Sequence, residues 1–138
     1  MAAQDDRLPR IFSDDSAAGD LVDYARELAK SCARVELSRS QIRAIYGTVR
    51  SLQTREASAR ARGLRLLIPK IAYAAARDPN LRPLAGPLSE AIVHVTRDGE
   101  GFDGRFSRFC EFFEAIVAFH YVASEEAKRE GGPRRGGR

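Results

Sequence analysis

The chain has no tryptophan, one methionine, two cysteines and two histidines in 138 residues. Cys32 and Cys110 are far apart and form no C-x-x-C pair, and His94 and His120 are equally isolated, so no zinc-binding pattern arises. Both cysteines fall near apolar faces of predicted helices and read as buried thiols, not as a disulfide or a nucleophile. Glu111 and Glu114 lie three apart with His120 two turns on, but the Glu-x-x-His pairs of a di-iron carboxylate bundle are missing. His120 reads as a core or flank histidine. There is no GxxxxGK[ST] loop and no HExxH. The stretch DGEGFDG, 98–104, lacks the aspartate spacing and terminal glutamate of a calcium loop. Ser38 and Ser40 have no base nearby in sequence and are explained by helix capping. The expectation is a protein without catalysis, metal or cofactor.

Long apolar runs are also missing. None approaches the roughly 20 residues needed to span a bilayer, and MAAQDDRLPR is too acidic and polar for a signal peptide. The expected setting is the cytoplasm, with no membrane partner. What is present is enough for one core: hydrophobic residues make up 43% of the chain.

A third scarcity is local. Between residues 39 and 77 the only carboxylate is Glu56, against nine cations. Counted by thirds, residues 1–33 carry a net charge of −3, residues 34–82 of +8 and residues 83–138 of −1, which together give the stated +4. Solvated helices normally interleave both signs. Of the 23 cations, 20 are arginine, whose planar fork of donors suits phosphate. A basic block of this kind is either a solvated face or the electrostatic footprint of nucleic-acid binding.

The periodicity is helical throughout. Residues 1–15 show none, carry Pro9 and two Asp pairs, and are expected to form a flexible N-terminal arm. A first helix is predicted over about 17–33, with Leu21, Val22, Ala25, Leu28, Ala29 and Cys32 inward and Asp14, Ser16 or Asp20 as cap. Ser38-Arg39-Ser40-Gln41 fits a capping box, with Leu37 as staple, and starts a second helix over about 39–55. Its apolar stripe is Ile42, Ile45, Tyr46, Val49 and Leu52, and Arg39, Arg43 and Arg50 share another face within about 60°. Gly47 inside it either admits a close backbone or ligand, or is neutral.

A third helical segment, 56–78, has Leu64, Leu67, Ile71, Ala74 and Ala75 at helical spacing, with a kink or break expected near Ile68 because of Pro69. A fourth helix follows over about 83–97, with Leu84, Leu88, Ile92 and Val95 inward, and then a glycine-rich loop, 96–104, expected to be mobile. The last helix, about 104–130 with Asp103 as cap, presents Phe106, Phe109, Phe113, Ile116, Val117 and His120 on one face and Phe112 and Phe119 on a second flank. Residues 131–138, GGPRRGGR, are expected to be disordered. The fold class is all-α: a compact bundle of about five helices over 16–130, with a long C-terminal helix.

Three segments in order, LSRSQIRAIYGTVRSL, LRLLIPKIAYAAARD and FSRFCEFFEAIVAFHY, resemble the small helical subunit of type III-A CRISPR effector complexes, the Csm complexes. The resemblance covers roughly residues 37–122. It departs at Ala76, where relatives often have glycine before the arginine matched by Arg77. It implies a non-catalytic subunit that stacks in several copies beside the backbone subunits, lines the channel where target RNA pairs with the guide (CRISPR) RNA, and serves antiviral defence. The family motifs carry Arg43, Lys70 and Arg77 as expected RNA contacts. Arg39, Arg50 and Arg62 rest on the charge block alone. Stacking would need apolar patches, for which Phe112, Phe119 and Tyr121 are the expected subunit-interface residues unless they are interior; isolated protein could then form a homodimer. The competing readings are a helical DNA-binding regulator and a helical protein–protein adaptor.

Overall fold

The computed structural model describes residues 7–136, with side chains through residue 130. It contains six α-helices and, among the described residues, no strand: α1 (Leu8–Ser13), α2 (Ala18–Arg34), α3 (Arg39–Ser51), α4 (Ala57–Arg77), α5 (Arg82–Val95) and α6 (Phe102–Gly136). Single 3-10 turns occupy Asp15–Ala17, Leu52–Thr54 and Pro79–Leu81. The expected all-α bundle with a long last helix is the observed architecture.

The frame is built on α6. Its Phe109, Phe112, Phe113 and Ile116 are fully buried, and each contributes roughly 1.5–3 kcal/mol by leaving water. Tyr24 of α2 stacks on Phe112 with ring centroids 5.6 Å apart, and further along Arg26 covers Phe119 at 4.7 Å. Contacts therefore advance together along both helices, so α2 and α6 run parallel. Tyr46 of α3 meets Phe113 at 5.4 Å, while Arg39 at the start of α3 pairs with Glu125 near the far end of α6, so α3 runs antiparallel to it.

The N-terminal segment corrects the expectation of a flexible arm over 1–15. Leu8, Ile11 and Phe12 are buried, and the Phe12 ring lies 5.4 Å from Phe112 and 6.0 Å from Phe109. LPRIFS is too short to display a helical period, yet its i, i+3, i+4 apolar triplet is enough to dock one and a half turns. Pro9 sits in the first turn, where its missing N–H costs nothing. Arg108 holds the end of α1, donating to the Phe12 carbonyl at 2.9 Å and to Asp15 at 2.7 Å. Residues 1–6 and 137–138 and the side chains of 131–136 lie outside the described residues. The expectation for the start of the arm falls there; the disorder expected over 131–138 is corrected over 131–136, where α6 continues six residues past the expected end at 130, to Gly136.

The capping box is present in both directions: the Gln41 amide N–H donates to Ser38 Oγ at 3.1 Å, and the Ser38 N–H donates to Gln41 Oε1 at 3.3 Å. Gln41 also donates through Nε2 to the Asp78 carboxylate, fastening the start of α3 to the end of α4. Asp78 in turn accepts from the Asn80 N–H at 3.0 Å, capping the next turn. The α2–α3 connection places Glu36 at φ 62°, a left-handed conformation unusual for a residue with a Cβ. The Leu37 carbonyl just after it lies 2.8 Å from His120 Nε2, and His120 is fully buried.

Two further expectations are revised: of the kink or break foreseen near Ile68 the break is absent, and the loop after α5 is held by side-chain hydrogen bonds. α4 runs from Ala57 to Arg77 without interruption at Pro69. Pro69 is exposed while Leu64, Leu67 and Ile71 on either side are buried. The carbonyl that loses its donor thus lies on the solvent side, where water replaces it, and core packing keeps the register. The loop after α5 is tied down. Arg105, almost fully buried, donates to the carbonyls of Val95 at 3.0 Å, Arg97 at 2.9 Å and Glu100 at 2.8 Å. Its guanidinium fills the carbonyl cluster that a helix C-terminus leaves open. Asp103 lies within the first turn of α6, not at its cap, and pairs with Arg60 at 3.3 Å.

Candidate nucleic-acid interface

The basic block occupies α3 and α4, and the fold divides it. Between the two helices runs a shallow apolar groove of about 200 Å³, lined by Ala44, Ile45 and Thr48 of α3 and by Leu67, Lys70, Ile71 and Ala74 of α4. Lys70 stands at its edge; neither Arg43 nor Arg50 reaches it. At about 100° per residue, Arg39, Arg43 and Arg50 fall on the Tyr46 side of α3, which faces α6, while Ala44 and Thr48 fall on the α4 side. The Arg50 guanidinium lies 5.9 Å from the Tyr46 ring, in keeping with that placement. The cations read as one block in sequence thus form two stripes on opposite flanks of α3.

The first stripe is partly engaged. Arg39 bridges to Glu125 of α6 at 3.3 Å and covers the Tyr121 ring at 4.7 Å. Arg43 is exposed and has no ion-pair partner among the described residues, and the same holds for Arg50. Gly47 lies between them on the helix, and a Cβ there would meet nothing within 4 Å. Among the described residues, none makes the close approach that a glycine would permit.

The second stripe lies along α4. Arg62, Lys70 and Arg77 are exposed, and Arg77 stands over the Tyr73 ring at 5.8 Å with a guanidinium nitrogen 3.4 Å from its hydroxyl. Arg60 and Arg65 belong to the interior contacts instead: Arg60 to Asp103 and the Phe106 ring at 5.3 Å, and Arg65 to the Thr96 carbonyl at 2.9 Å. α4 is seated on the preceding 3-10 turn through Gly63, where a Cβ would lie 2.5 Å from a Leu52 methyl. That contact keeps Leu52 under α4.

Of the three expected interface aromatics, Phe112 is a correction. It is 0% exposed, wedged between Phe12 and Tyr24, and is unavailable to any partner. Its flank of α6 is covered by α1, the helix not foreseen in the sequence. Phe119 is half-buried beneath Arg26. Tyr121 is 47% exposed beside the exposed Val122. Two site-forming features were missed by sequence reasoning: the exposed Tyr73 on the α4 stripe and the Gln41–Asp78 link beneath it. Tyr73 was visible as a residue outside the apolar period; the link joins residues too distant in sequence to signal it.

Both cysteines and His120 are buried. Burial pushes the Cys32 thiol up to about 11 and raises Cys110 as well, so both are poor nucleophiles. Burial lowers the His120 pKa, with the Leu37 hydrogen bond acting the other way and the Arg39 charge adding to the lowering. Among the described residues no group of His, Cys, Asp and Glu is arranged to hold a metal ion, and no helix is long and apolar enough to cross a membrane.

Comparison with known families matches one model, Csm2 Type III-A, over residues 15–126. Neither the curated proteins nor the solved structures contain a match. The matched span runs from the turn before α2 to the last third of α6, so it takes in the whole of α2 to α5 and both basic stripes. The chain belongs to the Csm2 family, the small subunit of type III-A CRISPR complexes.

Proposed function

We propose that this chain is a non-catalytic RNA-binding subunit of the RNA-guided type III-A interference complex, acting in the cytoplasm in antiviral defence. It contacts the backbone of guide and target RNA without reading sequence, and it stacks in several copies beside other Csm subunits. The observation that carries this reading is the surplus of unpaired cations on α3 and α4. Arg43, Arg50, Arg62 and Lys70 are exposed and have no ion-pair partner among the described residues, on helices without a single carboxylate. A solvated face that served only solubility would carry both signs. A polyanion with regularly spaced charge is the partner such a face suits, and contacts to phosphates position it without specifying sequence. Arg43, Lys70 and Arg77 are the principal contacts, with Arg39, Arg50 and Arg62 supporting. Because the two stripes lie on opposite flanks of α3, they would meet different segments of RNA, or RNA on one flank and a neighbouring subunit on the other. Self-association would use Tyr121 with Val122, and Phe119 at the margin.

The test is fluorescence anisotropy with unrelated single-stranded RNAs and an RNA duplex across a salt series. Affinity should fall steeply with salt and be alike for all sequences. Arg43→Ala, Lys70→Ala and Arg77→Ala should each make the logarithmic salt slope shallower by roughly one unit. Sequence-dependent binding to DNA would favour the regulator reading, although α3 runs through Gly47 without the turn that a helix-turn-helix needs. Binding to acidic protein with none to RNA, even within the assembled complex, would favour the adaptor.

A further inference from the structure

The outer face of α4 is not purely basic. At about 100° per residue, Arg62, Leu66, Lys70, Tyr73 and Arg77 fall within roughly 80° of one another, opposite the buried Leu64, Leu67 and Ile71. All five are exposed, and the two apolar members are large: Leu66 is 47% exposed and Tyr73 65%. Their order along the helix alternates cation, apolar, cation, aromatic, cation. With a rise of 1.5 Å per residue, the cations are about 12 and 10 Å apart, with one apolar side chain midway in each gap. No carboxylate interrupts the stripe. Asp78 at its end is engaged by Gln41 and by the Asn80 N–H.

Phosphate attraction accounts for the three cations and not for the two residues between them. An exposed leucine adds nothing to the grip on a phosphate and a tyrosine adds only its hydroxyl, the group that Tyr73→Phe removes, and α4 needs neither the ring nor the methyls for its core. They are what a nucleobase needs: an aromatic ring presents a face for stacking whatever the base, and Arg77 beside it adds the attraction of a cation to a π-system. In an intact A-form duplex the bases are stacked inside and offer no face to a surface helix, so the occupant must carry unpaired bases.

We propose that the α4 stripe is a single-strand platform, on which Arg62, Lys70 and Arg77 hold phosphates while Tyr73, with Leu66, stacks an unpaired base of the RNA. This rests on the RNA-binding reading above and adds to it a preference for single-stranded over paired RNA at this helix. The preference is indifferent to base identity, because every base has a π-face.

The experiment compares the full chain with Tyr73→Ala, Tyr73→Phe and Lys70→Ala, using circular dichroism to confirm the fold of each. Anisotropy at fixed salt is read with three probes: a single-stranded RNA, a strand of the same length with abasic positions throughout, and a fully paired RNA duplex. Tyr73→Ala should weaken binding to the base-bearing strand by about tenfold, with binding to the abasic strand and the duplex held within about twofold and the salt slope unchanged. Tyr73→Phe should retain parental affinity. Lys70→Ala should weaken all three probes and flatten the slope. If Tyr73→Ala matches the parent on the single strand while Lys70→Ala is weakened, the platform is overturned and the phosphate reading stands. If Tyr73→Ala weakens all three probes alike, stacking is overturned as well. If the parent binds none of the probes at low salt but binds poly-glutamate, both readings fall and the stripe belongs to an acidic protein partner.

Discussion

Set α2 with α6 beside α3 with α4 and the same helical material is put to two uses. On α2 and α6 charges of both signs alternate, and several are paired: Asp23 with Arg26, and Glu125 with both Lys128 and Arg39. The two helices meet in step along the aromatic residues of α6. On α3 and α4 carboxylates are absent, exposed arginines go without ion-pair partners, and a groove separates the helices. The first pair spends its side chains on holding the fold. The second holds its own inner faces through Ile42, Val49, Leu64, Leu67 and Ile71 and leaves its outer faces exposed and basic. The lesson is that the two pairs differ in charge pairing: carboxylates offset cations on α2 and α6, and none does so within α3 and α4.

Mutations at the centre and on the stripe should therefore have separable effects. The largest loss of stability is expected from Phe112→Ala, which empties the site between Phe12 and Tyr24 and should cost about 3–5 kcal/mol in denaturant unfolding. Tyr73→Ala and Leu66→Ala on the α4 surface should stay within about 0.5 kcal/mol of the parent; a large effect from either would break the contrast. Arg105→Met should cost about 2 kcal/mol, because three carbonyls lose a charged donor, and should speed amide exchange between residues 96 and 101.

A pH titration sharpens the contrast further. His120 is buried and its pKa is lowered, so below about 6.5 the unfolded chain takes up a proton that the folded chain resists. Stability should be level above that value and fall as the pH drops from 6.5 toward 5. His120→Gln should remove this pH dependence even if it lowers stability throughout. One effect is a gain: Glu36→Gly relieves the left-handed strain at the α2–α3 connection and should stabilise by about 1 kcal/mol. Calorimetry across pH measures both.

Much of this was legible in the sequence because it was local. The capping box at Ser38 needs only four residues, and the inward sets Leu84, Leu88, Ile92, Val95 and Leu64, Leu67, Ile71 follow from one period. What escaped depended on partners distant in the chain. LPRIFS gave no period because the docked helix is shorter than two turns. The loop at 96–101 looked loose because an arginine in a first helical turn reads as a solvated charge, and only the fold turns Arg105 inward. Pro69 looked like a break because its effect depends on which side the freed carbonyl faces. The six expected RNA contacts belong to one block of charge in the sequence, and a charge count along the chain carries no angular information between helices. The geometry distributes them over two stripes.

Arg105 has a practical consequence. Its partners are carbonyl oxygens in a buried setting, not a counter-ion across water, and dissolved salt does little to such bonds. The exposed arginines and Lys70 work through charge that mobile ions screen. Ionic strength therefore acts on the two kinds of cation separately. A strong salt wash during purification should strip a bound polyanion from the surface while leaving the scaffold folded, and returning to low salt should restore a receptive surface without a refolding step.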